Sequence, residues 1–336
     1  MNNNNFELRE WQLSDVESLA ENANNILIWN NLRDALPHPY FEKDAKEYIE
    51  MVLSQPKPAT LFAIVVEGKA VGSIGFFPRT DVERISAELG YFIGEDYWDK
   101  GIMTEAVKQI ITYAFTTLPL EKIYATPFEF NIASQKVLQK AGFEREAILK
   151  QAAIKNGKIV DLHYYSMFKS RWLESVEIRP LNKEDLPILK DLLYEAIFIP
   201  EGVEPPSRDI IEKPEIDVYI RDFGNKKDDL CLLATIYGKI IGGVWVRTLA
   251  DEIKGFGNID PETPEFAISV FKEYRNMGIG TVLMQHMFDL MAHKGYKQTS
   301  LSVDKANYAV KMYKKLGFEI ICENEHDYIM VCKLGN

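Results

Sequence analysis

The stretch YRNMGIGTVLMQHM, Tyr274 to Met287, places Gly278 and Gly280 one residue apart at the mouth of an amphipathic helix. Inside a helix either glycine costs about 1 kcal/mol against alanine. Such residues belong where the backbone turns sharply or must be approached closely. A strand that turns straight into a helix leaves unpaired N–H groups at the helix N-terminus. That end attracts anions, above all a diphosphate, and Arg275 adds positive charge beside it. The turn therefore reads as a pyrophosphate cradle made of Arg275, Asn276, Met277, Gly278, Ile279, Gly280 and Thr281. Two other phosphate loops are excluded. A Walker loop needs Lys before its Ser/Thr, and here Gly280 is followed directly by Thr281. A dinucleotide fingerprint needs a third glycine where Leu283 stands.

YWDKGIMTEAVKQI, Tyr97 to Ile110, is a diverged copy of this stretch, and the copying extends along the chain. ELREWQLSDVESLAE from Glu7 matches EIRPLNKEDLPILKD from Glu177, with Arg9 on Arg179 and Asp15 on Asp185. EGKAVGSIGF from Glu67 matches YGKIIGGVWV from Tyr237, each a strand, a tight turn at a Gly-Lys pair and a second strand. The second half then carries an extra polar loop within ADEIKGFGNIDPETPEF, where insertion costs little. Past it, Glu88 falls on Glu265, Ile93 on Val270 and Gly101 on Gly278. NIASQKVLQKAGFE from Asn131 pairs with NYAVKMYKKLGFE from Asn307. Five segments recurring in one order make two copies of a single domain, residues 1–173 and 174–336. Strands alternate with helices whose apolar positions are helical: Ala106, Val107, Ile110, Ile111 and Ala114 in one, Val282, Leu283, Met287 and Leu290 in the other. Each copy is expected to be an α/β domain with a mixed sheet.

Bulk properties narrow the function classes. Of 336 residues, 46% are hydrophobic and 26% charged, as in globular domains. The longest apolar runs, such as LFAIVV from Leu61, are strand-length, far short of the ~20 residues that span a bilayer. No secretory pattern is visible in MNNNNFELRE, and its Asn run reads as a frayed end. Cys231, Cys322 and Cys332 form no CxxC pair and fit buried thiols in a reducing cytoplasm. His286 and His293 share a helix, but no carboxylate or cysteine stands at ligand spacing beside them, so no metal is expected. The net charge of −11 argues against a nucleic-acid footprint. It suits a cationic substrate or solubility.

With these residues in place, the chain resembles two tandem GNAT-superfamily N-acetyltransferase domains. The family's acetyl-CoA signature, Q/R-x-x-G-x-G/A, is met by Arg275, Gly278 and Gly280. Its later segment is met by Asn307, Ala309, Tyr313, Gly317 and Phe318. The first half is similar to the branch that acetylates ribosomal-protein N-termini, with YWDKGIMTEA as its turn and NGKIVDLHYYSMFKSRW as a closing hairpin around Asn156-Gly157. There Trp98 replaces the Arg/Gln and Met103 the second small residue, which removes a cation beside the diphosphate. The resemblance implies acetyl-CoA as acyl donor and an amine acceptor, either a small molecule or a protein or peptide N-terminus. It implies no nucleic-acid or membrane partner and a monomer or dimer.

The resemblance also assigns roles. Strands ending at Ile93 and Val270 would pair with the pantetheine arm, and splayed strands would open a slot there. Lys100, Gly101, Ile102, Met103 and Thr104 are the first half's cradle. Tyr313 stands where the family places its acid; it reads equally as a core tyrosine. The first half has Leu138 there, and Ser134 is the nearest hydroxyl, or a helix cap. Glu88 and Glu265 could draw the amine proton through water, or be exposed strand carboxylates. Asn131 and Asn307 would fix the cofactor arm or cap helices. His38, Tyr40 and Phe41 line an acceptor pocket or pack a Pro-flanked loop. Neutralising a Lys amine at pH 7 costs about 4.6 kcal/mol and an α-amine about 1, which favours an acceptor amine of low pKa. Alternatives are a chain in which one half, the first by its turn chemistry, only binds or mimics a dimer partner, or a non-enzymatic acyl-CoA sensor.

Overall fold

The computed structural model describes residues 6–335; the Asn2–Asn5 run, expected to fray, lies outside the described residues. The chain folds as two compact units, Met1–Glu174 and Ser175–Asn336.

The first unit begins with β1 (Phe6–Arg9) and the helices α1 (Val16–Ala23), α2 (Ile26–Trp29) and α3 (Glu42–Leu53). Then come β2 (Leu61–Val66), β3 (Lys69–Pro78), β4 (Ser86–Ile93), α4 (Ile102–Thr117), β5 (Lys122–Ala125) and α5 (Ile132–Lys140). It closes with β6 (Glu144–Lys155), β7 (Lys158–Phe168) and α6 (Lys169–Leu173). Its seven strands form one mixed sheet in the order β1-β2-β3-β4-β5-β7-β6, antiparallel except where β4 meets β5.

Alternation along each strand feeds two layers. Ala63, Val65 and Ala70 pack with Leu19 of α1 and Ala45 and Ile49 of α3. On the other face, Phe62 and Phe76 pack on Tyr113 of α4. That helix buries the expected Ala106, Val107, Ile110, Ile111 and Ala114. The β2–β3 turn centres on Glu67 and Gly68, at φ 50° and 80°, one residue earlier than the Gly-Lys pair. Two positive φ values make a turn whose twist suits a hairpin, and Lys69 already belongs to β3. Asn156-Gly157 turns the same way, at φ 52° and 73°.

The second unit repeats the scheme. It runs through β8 (Val176–Pro180), α7 (Ile188–Ala196), α8 (Pro214–Asp217), β9 (Leu230–Ile236), β10 (Lys239–Arg247) and β11 (Glu265–Val270). It continues with α9 (Ile279–His293), β12 (Gln298–Asp304), α10 (Ala309–Lys315), β13 (Phe318–Glu323) and β14 (Asp327–Lys333). Its sheet order is β13-β14-β12-β11-β10-β9-β8, with only β11–β12 parallel. The repeated pairs are equivalent in space. Arg9 grips Asp15 with two bonds of 2.7 Å, and Arg179 grips Asp185 at 2.6 and 2.9 Å.

Two expectations differ from the structure. Val282 is exposed, because α9 begins at Ile279 and its buried stripe runs through Ile279, Leu283, Met284, Met287 and Met291. Cys322 is exposed, because it lies on the edge strand β13, whereas Cys231 and Cys332 are buried; all three thiols are free. Among the described residues no helix is long and apolar enough to cross a membrane.

Candidate active site

In each unit the parallel pair at the sheet's centre comes apart. β4 and β5 are paired only from Ser86 to Glu88 against Lys122 to Tyr124, and β11 meets β12 only at Glu265 and Ser300. Beyond Glu88, the edge of β4 that faces β5 has no strand partner among the described residues. The splay opens a slot with Glu88 at its apex and the glycine turn at its mouth.

The two turns share one backbone form despite their different sequences. Asp99 and Gly101 take φ 57° and 78°, and Asn276 and Gly278 take 62° and 82°. Each glycine is the N-cap of the long helix that follows, and no side chain caps either end. The first helical bonds run from Glu105 N–H to the Gly101 carbonyl and from Val282 N–H to the Gly278 carbonyl. The N–H groups of Ile102, Met103 and Thr104, and of Ile279, Gly280 and Thr281, therefore head their helices with donors to spare. Gly280 is helical, and a Cβ there would make ordinary contacts with Met312, Ile268 and Val270 at 3.7, 3.8 and 4.0 Å. Met103, in its place in the first unit, is buried and lines the cavity beside the turn.

Arg275, expected to add charge beside the diphosphate, makes its side-chain bonds within the protein. Its Nε donates to the Val270 carbonyl at 2.8 Å and its Nη2 to the Glu195 carboxylate at 2.6 Å. It ties the end of β11 to the turn, with its charge already matched. In the first unit the Trp98 indole donates to the Ile93 carbonyl at 2.9 Å. The replacement keeps the tie and lacks the charge that Glu195 of α7 balances in the second unit. Lys100 stands over the Tyr97 ring, 5.3 Å from its centroid.

A cavity of about 1460 Å³ runs through the first unit, larger than the roughly 300–1,000 Å³ of common small-ligand pockets. It gathers Glu88, Ile93, Asn131, Ser134 and the whole turn from Trp98 to Thr104. An uncapped helix end, an open strand edge and a long cavity joining them suit an elongated acyl donor carrying a diphosphate. Tyr40 lines it while buried in the core, whereas Phe41 is exposed and His38 packs on Trp29.

Polar groups approach the slot from both faces of the sheet. On the side of α4 and α5, Tyr91 Oη and Ser134 Oγ are 2.8 Å apart. Burial raises the Tyr91 phenol, so it stays a proton donor at neutral pH. Tyr91 was missed from the sequence; strand alternation alone does not tell a slot-facing tyrosine from a core one. Ser134 N–H also donates to the Asn131 side chain at 3.0 Å, and Asn307 accepts from Ala309 N–H at 2.9 Å. Asn131 is the N-cap of α5, whereas Asn307 stands one residue ahead of the α10 N-cap, Tyr308. On the side of α1 and α3, Glu88 accepts from Arg33, from Thr126 Oγ1 at 3.1 Å and from Arg79 Nη2 at 2.8 Å. It is neither a free base nor an exposed carboxylate.

The second unit encloses its counterpart. Glu265 is 3% exposed and accepts from the Tyr219 hydroxyl and from Gly257 N–H at 2.8 Å. Among the described residues its Oε2 has no hydrogen-bond partner, and burial lifts its pKa from 4.5 to about 7. The extra loop causes the enclosure. A Cβ on Gly257 would lie 2.5 Å from Leu301 of β12, and one on Gly255 would lie 1.9 Å from Glu265 Oε2. These glycines fill the apex of the splay. Tyr313 is buried against Phe318, at a ring spacing of 5.7 Å. Burial raises its pKa. Its hydroxyl has no hydrogen bond among the described residues. His286 bonds to its own helix through the Val282 carbonyl.

The paired turns, the splayed strands and the repeated seven-stranded sheets define an acyltransferase fold present twice. The model of the GNAT acetyltransferase domain matches residues 5–144, and that of the GNAT acetyltransferase family matches residues 194–318. The chain is 33% identical over 170 residues to the uncharacterized N-acetyltransferase p20 of Bacillus licheniformis, covering 49% of this chain and 93% of that one. It is 28% identical over 140 residues to the ribosomal-protein-serine acetyltransferase of Escherichia coli, covering 40% and 78%. Mycobacterium smegmatis RimJ, solved in complex with CoA-disulfide, aligns with a TM-score of 0.44 at 21% identity, covering 49% of this chain and 82% of that one. The chain belongs to the GNAT family and is an N-acetyltransferase with two such domains in tandem. Acetyl-CoA is the acyl donor of this family.

Proposed function

We propose that the first unit transfers the acetyl group of acetyl-CoA directly to an amine, and that the second unit, with its apex closed, is not the seat of turnover. The observation that carries this reading is the cavity through the splay. It joins the uncapped turn at Gly101 to Tyr91 and Ser134 on one face and to Glu88 on the other.

When bound, acetyl-CoA supplies a thioester carbonyl open to amine attack and a thiolate leaving group. The residues that would hold it are the turn from Lys100 to Thr104, whose first-turn N–H groups suit a diphosphate, and the open edge of β4 up to Ile93. That edge supplies backbone N–H groups where a developing oxyanion needs them. Ser134, hydrogen-bonded to Tyr91, is placed to give a proton to the leaving sulfur, with the Tyr91 phenol replenishing it. Glu88 is already held by two guanidiniums. An acceptor amine that is largely neutral near pH 7, an α-amine over a Lys side chain, needs the least help in losing its proton.

The test is to mix the full chain with acetyl-CoA and a panel of α-amines, polyamines and aminoglycosides. Free thiol is followed, and products are confirmed by mass. Thiol release is expected, reduced roughly 10²-fold by Ser134→Ala. Binding of acetyl-CoA with no turnover on any amine would overturn the reading in favour of a sensor.

A further inference from the structure

The acceptor side of the slot holds two cations for one anion. Glu88 Oε1 receives Arg33 and Thr126, and its Oε2 receives Arg79. Arg79 also donates Nε to Tyr124 Oη at 2.6 Å. That leaves Nη1 of both arginines and Nε of Arg33 with no acceptor among the described residues, and both arginines line the cavity. Nearby acids do not cancel the surplus. Asp34 is taken by the buried Lys155 at 2.6 Å, and Glu83 acts on Arg79 without a hydrogen bond.

The arrangement is held in place. Lys155 Nζ sits 3.5 Å from the centroid of Trp29, and the Trp29 indole donates to the Leu36 carbonyl at 2.9 Å. The segment carrying Arg33 is thus pinned to the β6–β7 hairpin, although Arg33 itself is 68% exposed. Pinning that segment lowers the entropy lost on binding. The whole-chain charge of −11 does not decide this site, because distant charges are screened beyond about 8 Å at physiological salt.

We propose, resting on the transferase reading above, that the acceptor carries a carboxylate near its amine. Arg33 and Arg79 take the carboxylate, and Glu88 faces the amine. Guanidinium forks match planar carboxylates bidentately, which lone ammonium groups do not. The carboxylate belongs either to a free α-amino acid or to an acidic side chain next to a peptide N-terminus.

The experiment measures kcat/KM for thiol release by the full chain on matched pairs. One arm sets each L-amino acid against its carboxamide. The other sets tripeptide amides with Glu at the second position against the same peptides with Gln. Carboxamides have the less basic amine, so intrinsic reactivity favours them, and a preference for the acid reports the site. At least one arm is expected to favour the acid by about tenfold or more, the usual effect of a charged hydrogen bond. Arg33→Gln and Arg79→Gln should bring that ratio toward one, and Arg33→Glu should invert it, with circular dichroism confirming the fold of each. Release on amides or polyamines without preference for acids in either arm overturns the inference and leaves the transferase reading standing. Release on no amine overturns both.

Discussion

At the scale of single residues, Glu265 ties stability to pH. Its folded pKa is raised from 4.5 to about 7 by burial. Below pH 4.5 both the folded and unfolded forms hold the proton, and nothing is lost. Between pH 4.5 and 7 the unfolded form sheds it first, so stability falls as pH rises, by on the order of 3 kcal/mol at most across the window. Urea unfolding of the wild type and Glu265→Gln should therefore give curves that diverge over that range, with the variant relatively more stable at pH 8. Parallel curves would contradict the burial argument. The two glycines of the turn should also separate. Gly278→Ala forces a side chain to φ 82° and should cost about 1 kcal/mol or more. Gly280→Ala sits in helical backbone with ordinary contacts and should be neutral or stabilising by up to about 1 kcal/mol. Thermal melts of both variants check this. The sequence shows Gly278 as special because a glycine before an amphipathic helix has a local cause. It does not show that Arg275 is spoken for, since its partner Glu195 lies 80 residues away. Nor does it show that Arg33 and Arg79 converge on Glu88, from separations of 55 and 9 residues.

At the scale of elements, the strand-to-helix turn is one device written in two chemistries. A cationic fork in the second unit and an indole in the first each anchor the last carbonyl of the central strand. A single N–H donor is all that the tie requires. Trp98→Arg should therefore be tolerated better than Trp98→Ala, which leaves the Ile93 carbonyl without its partner and opens space beside the turn. The expected gap is about 1–2 kcal/mol in unfolding free energy, and equal losses would show that the indole acts by packing alone. Helices, hairpins and the repeat were legible because apolar periodicity and positive-φ turns are local signals. The splay was not. Whether β4 and β5 part after Glu88 depends on what each packs against, and no run of either strand encodes it. The loop glycines Gly255 and Gly257 read as generic loop residues; their seat against Glu265 and Leu301 follows from the fold around them.

At the scale of the whole molecule, duplication gave two copies of one scaffold whose sites diverged in opposite ways. The first has an open slot and no arginine in its turn. The second has the arginine and the fuller signature, and its extra loop fills the apex of its splay. Motif completeness in the sequence therefore points to the second copy, whereas open geometry points to the first. The most direct measurement is thiol release by the full chain on one accepted amine, comparing Tyr91→Phe with Ser134→Ala combined against Tyr313→Phe. Loss of roughly 10²-fold or more in the first variant, with less than about twofold change in the second, is the predicted result. The reverse pattern would contradict the assignment of chemistry to the first unit.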